Sequence, residues 1–117
     1  MIVLGVVLLG IFLPRAIKLD QFVTPDEHLW LNRSANFYFA LGQRDFASTY
    51  QKEHPGVTIM WTGTLGFLLR FPDYRGSGLG QLKAHEFNYY IDNLSPIPPL
   101  DLLVAARAIL ILGHTLI

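Results

Sequence analysis

Apolar residues gather in three runs along this chain, at 2–13, 57–71 and 102–117, separated by stretches in which polar residues dominate. A helix that crosses a bilayer needs about 20 apolar residues, with a range of roughly 17–25. Each run is short of that or interrupted: Pro14 closes the first, Arg70 sits in the second, and Arg107 and His114 sit in the third. Length alone therefore fits buried core helices of a soluble protein as well as membrane helices. Two further features favour the membrane. The first run starts at Met1 with nothing polar ahead of it, and the third is still apolar at Ile117. Ends of soluble domains are normally polar and mobile. The expectation is a piece of a longer membrane protein, cut within helices at one or both ends. A cleaved signal peptide competes for the first run, but there is no basic leader, and Pro14-Arg15 follows without a small-x-small cleavage site.

Between the first two runs, Thr24-Pro25-Asp26-Glu27 reads as a helix start. Thr24 suits the cap and Pro25 the first helical position, while Glu27 falls where a capping box places its acid. The predicted helix covers about 24–42, with Gly42 as its left-handed stop. Trp30, Phe37, Tyr38 and Phe39 spread around its circumference, and His28, Asn32 and Asn36 form a polar line at i, i+4, i+8. That distribution suits an amphipathic helix lying at the membrane–water interface. An ordinary core helix is the alternative. His54-Pro55-Gly56 then frees a second membrane helix to begin, expected over about 56–71, with Gly63 and Gly66 allowing close helix approach. Residues 72–99 read as a long polar loop, with a short helix possible at 79–91 carrying Tyr89 and Tyr90. The glycines at 76, 78 and 80 follow no strand and do not make a phosphate cradle. A third helix starts near 100.

Composition narrows the classes. Of 117 residues, 51% are hydrophobic and only 15% charged, with a formal net charge of zero. Soluble domains carry roughly a quarter charged residues, and a nucleic-acid binder needs a basic surface that this chain lacks. There is no Cys, which removes thiolate metal sites and cysteine nucleophiles. The basic residues give an orientation: Arg15, Lys18, Arg33, Arg44 and Lys52 precede the second run, against Arg70, Arg75 and Lys83 after it. Counting these alone places the first loop in the cytoplasm.

Asp26 and Glu27 lead the candidates for chemistry. An acid in the first helical turn has a structural duty, worth about 0.3–1 kcal/mol through the helix dipole. Glu27 has that duty in the capping box and Asp26 does not. A carboxylate within reach of a hydroxyl can act as general base. Glu53 and His54 are the second pair: His54 can neutralise a phosphate as imidazolium or share a proton with Glu53. Arg33 lies two turns beyond Asp26 and can bind a phosphate oxygen. His28, His54 and His85 do not have the spacing of a known metal site.

Taken in order, these features resemble a known family. An apolar first helix, Pro25-Asp26-Glu27 opening an aromatic helix, Glu53-His54-Pro55 opening a second membrane helix and Ala105-Ala106-Arg107 opening a third look like the start of the polyprenyl-phosphate-dependent glycosyltransferases of the GT-C fold. Protein O-mannosyltransferases and lipid A aminoarabinose transferases belong there. The resemblance covers most of this chain but only the opening part of a family member. It implies an all-α, multi-spanning integral membrane protein with an interfacial helix in its first external loop. It also implies a catalytic face outside the cytoplasm (in bacteria, of the inner membrane), opposite to the charge count. Asp26, or Glu27, would be the catalytic acid of that loop, and Glu53 and His54 would help hold the donor. The implied substrates are a sugar on a polyprenyl phosphate and an acceptor hydroxyl on a protein, lipid or glycan. No cofactor is required by the sequence, and a divalent metal is left open. One departure is Pro55-Gly56, where many relatives have two prolines. The fragment alone is expected to be inactive. The competing class is a small non-catalytic membrane anchor or assembly subunit.

Overall fold

The computed structural model describes residues 2–21, 24–51, 56–77 and 97–116. Within them the chain is all-helical, with four α-helices and no strand: α1 (Ile2–Ala16), α2 (Glu27–Gln43), α3 (Val57–Arg70) and α4 (Pro99–Leu116). The short helix expected at 79–91 and its tyrosines lie outside the described residues. Of the described helices, α4 alone is long and apolar enough to cross a membrane by length and composition. α1 is apolar but shorter, at 15 residues.

Local chemistry sets the helix ends. Pro99 opens α4 where its missing N–H costs nothing, and the amides of Asp101 and Leu102 both bond to the Pro98 carbonyl. α2 starts at Glu27, later than the capping box predicts, with Asp26 as N-cap. Its carbonyl accepts from Leu29 and Trp30 at 3.0 and 3.2 Å, and its side chain makes no capping bond. Half of the box still forms, since the Thr24 amide donates to Glu27 Oε2 at 2.7 Å. At the other end Gly42 does not stop the helix. Arg44 does so at φ 58°, with its amide bonded to Leu41 O and that of Asp45 to Ala40 O. Those two bonds are a Schellman cap, which offsets the cost of a left-handed arginine.

α3 packs most extensively against α4, and α2 covers both, while α1 rests on α4. The core is Leu31, Ala35 and Tyr38 from α2, Phe67 from α3, Leu102 and Leu103 from α4, and Tyr74 from the segment after α3. Phe67 and Tyr74 meet edge to face at 5.4 Å, and Tyr38 lies within 6.5 Å of both rings. α2 is thus a packing helix, with its polar line of His28, Asn32 and Asn36 half-buried.

The glycines in α3 bring helices together, as expected. A Cβ on Gly63 would fall 2.5 Å from Ser34 Oγ, and one on Gly66 would fall 2.6 Å from the Ala105 carbonyl carbon. A third glycine closes the core in a way the polar-loop reading did not foresee. Gly76, at φ +82°, presses its backbone onto α2 beside Ala35 and Phe39. The Ser77 amide then donates to Ala35 O at 3.1 Å, and the Tyr74 hydroxyl pairs with Ser77 Oγ at 2.9 Å.

Candidate functional site

The two adjacent acids at the start of α2 have different environments. Glu27 turns inward to α4. Arg107 Nε donates to Glu27 Oε1 at 2.7 Å and Nη2 donates to Oε2 at 2.6 Å, a two-pronged ion pair with side chains 14% and 23% exposed. Arg107 Nη1 also donates to the carbonyls of Leu19 and Gln21, just beyond α1. Burial pushes the Glu27 carboxyl up. The hydrogen bonds from Arg107 and Thr24, together with the guanidinium charge, outweigh it and hold the pKa below the usual carboxylate range.

Asp26 is exposed, and no described residue bonds to its carboxylate. It stands on the rim of a cavity of about 320 Å³ between α2, α3 and α4. The walls are mainly apolar, from Trp30, Leu31, Ile59, Leu103 and Leu110. Two hydroxyls face it from the sides: Thr62 Oγ1 donates to Ile59 O at 2.9 Å, and Ser34 Oγ reaches the same carbonyl at 3.5 Å. An apolar hollow with a few convergent polar groups is the usual form of a small-molecule site. This one carries a solvated carboxylate at its mouth and a fixed ion pair in its wall.

Of the residues singled out from sequence, Asp26 and Glu27 come together here. Arg33 is half-buried on α2 and does not line the cavity. Glu53 and His54 lie outside the described residues. Arg107 does not open the third helix: α4 begins at Pro99, which places Arg107 midway along it. Among the described residues no group of three or more acids or histidines is placed to hold a metal.

The sequence marks Arg107 as an interruption of the third run and as part of Ala105-Ala106-Arg107, but not as the partner of Glu27. The signal was present, since a lone arginine within an apolar run needs a counter-charge. Nothing local indicated which acid would supply it from 80 positions away. No family model, curated protein or solved structure matches this chain.

Proposed function

We propose that this chain is the opening part of a membrane glycosyltransferase that moves a sugar from a polyprenyl phosphate to an acceptor hydroxyl, with Asp26 as general base. One observation carries the reading: the two acids divide the work. Glu27 is committed to Arg107, while Asp26 has no partner among the described residues and stands at the mouth of an apolar cavity.

In the proposed reaction the acceptor hydroxyl gives its proton to Asp26 as its oxygen attacks the anomeric carbon. The bond from that carbon to the phosphate oxygen breaks, and the polyprenyl phosphate leaves with the electron pair. The expected outcome is inversion at the anomeric carbon. The cavity's apolar walls suit a donor that is half lipid, and its open mouth suits a water-soluble acceptor. Arg107, held by Glu27 and two carbonyls, shapes the wall. Glu53 and His54 retain the donor-holding role that the resemblance implies, and α1, α3 and α4 are the membrane helices of this reading. The active face is outside the cytoplasm, and the acceptor class and any metal are left open.

The test is Asp26→Asn in the full gene product, assayed in membranes with a polyprenyl-phosphate sugar. Loss of a general base lowers the rate by about 10²–10⁴-fold, and membrane insertion should be unchanged. An unaltered transfer rate would remove Asp26 from this role.

A specific feature favours a second reading, that of a non-catalytic anchor or assembly subunit. None of α1 is buried, and Ile2, Val3, Leu4, Val6 and Leu9 all face outward. That surface suits lipid or another helix without any chemistry. Absence of transfer from the unmodified gene product across lipid-linked sugars would favour it.

A further inference from the structure

We propose that the groove at the C-terminal end of α2 binds a neutral saccharide. The groove, of about 540 Å³, lies apart from the Asp26 cavity and shares no lining residue with it. α2 supplies Asn36, Phe39 and Gln43, and the turn that follows supplies Asp45, Tyr50 and Gln51.

The turn is built rigidly. The Schellman cap fixes its start, the Ser48 amide donates to Asp45 Oδ1 at 3.2 Å, and Thr49 Oγ1 donates to Phe46 O at 2.7 Å. Gln51 Nε2 donates to Ser48 O at 2.6 Å, which fixes the carboxamide beside the groove. Hydrogen bonds from Ser48 hold the Asp45 carboxyl below its ordinary pKa, so it is an acceptor throughout the neutral range. The carboxamides of Asn36 and Gln43 make no bond to described residues.

These groups select the ligand class. A carboxamide offers two donors and an acceptor in one plane, and a carboxylate offers only acceptors. Together they match adjacent hydroxyls, each of which donates and accepts. Two aromatic rings face the same groove, with Phe39 38% and Tyr50 70% exposed. The negative face of such a ring attracts the weakly positive C–H face of a pyranose. Among the described residues the lining includes one acid and no Lys, Arg or His, a set that disfavours phosphate and sulfate esters. A ligand with adjacent hydroxyls, an apolar face and no negative charge is a neutral sugar.

The inference does not depend on the transfer reading. It adds to that reading an acceptor of the glycan class, bound in a groove whose near edge, at Asn36, lies about 15 Å along α2 from Asp26 at 1.5 Å per residue.

The test uses the purified protein in a detergent without sugar headgroups, and saturation-transfer NMR on a panel of neutral methyl pyranosides and disaccharides. No lipid donor is present, so the result is separate from the outcome of the Asp26 assay. The expected result is saturation of ring C–H protons by at least one sugar. Binding should weaken roughly tenfold in Tyr50→Ala and by a similar factor in Asp45→Asn, which can keep the bond to Ser48. Phe46→Ala, whose ring is exposed outside the groove, should bind as the parent does. Circular dichroism checks that each variant folds. The proposal is overturned by no transfer to any neutral sugar, by binding that survives both groove substitutions, or by tighter binding of a phosphorylated sugar than of its neutral parent.

Discussion

Arg107→Met is the most informative perturbation of this fold. It leaves the Glu27 carboxylate, 23% exposed, without a counter-charge, and it takes the donor from the Leu19 and Gln21 carbonyls. Breaking a fully buried pair costs about 3–5 kcal/mol, whereas exposed pairs contribute about 0–1 kcal/mol. With side chains 14% and 23% exposed, this pair falls between the two, at roughly 2–3 kcal/mol for the loss of Arg107. Glu27→Gln keeps one hydrogen bond to the guanidinium and should cost about 1–2 kcal/mol. In the double variant the charges are gone together, so it should be more stable than the sum of the single losses predicts, by about 1–2 kcal/mol. The assay is reversible unfolding in micelles, followed by Trp30 and Trp61 fluorescence and by helicity. The same pair predicts a pH response. The folded-state pKa of Glu27 is lowered, so its contribution is complete above the unfolded value of about 4.3 and is lost as pH falls through the folded value. Stability should therefore fall on acidification below that range in the parent, and the Glu27→Gln variant should lose that component. Single losses that add to within about 0.5 kcal/mol would refute the coupling, and an identical acid response in parent and Glu27→Gln would refute the pH argument.

Two further substitutions test the packing. Gly66→Ala puts a methyl group against the backbone at Ala105 and Ala106, which cannot give way as a flexible side chain can. A loss of about 1–3 kcal/mol is expected in the same unfolding assay, and a neutral result would mean that α3 and α4 are not in such close contact. Thr64→Val replaces a buried hydroxyl that has no hydrogen-bond partner among the described residues with a methyl group of similar shape. It should be neutral or stabilising by up to about 1 kcal/mol, and a clear loss would mean that the hydroxyl has a partner.

Helices were the most legible part of this chain, because their apolar runs and turn residues act locally. α3 occupies 57–70 where 56–71 was expected, and α4 starts at Pro99 where about 100 was expected. Glu27 does reach back to Thr24, as the capping box requires. The stop at Gly42 failed because a Schellman cap satisfies the last carbonyls two residues later, even with arginine in the left-handed position. What could not be read were contacts between residues far apart in the chain. Glu27 and Arg107 are joined by the crossing of α2 and α4. Tyr74 enters the core because Gly76 lets the backbone approach α2, although the surrounding residues read as loop. The groove at Asn36–Gln51 depends on a turn whose hydrogen bonds no periodicity announces.

The guanidinium of Arg107 is also a mechanical pin. It is tied to the chain just past α1, to the first turn of α2 and to the middle of α4. The C-terminal end of α1 is therefore anchored near one point, while the rest of that helix buries no residue. A helix of its length extends about 22 Å. Beyond the anchored end, that length is held by its packing against α4. The end of α1 is thereby fixed beside the cavity whose rim carries Asp26.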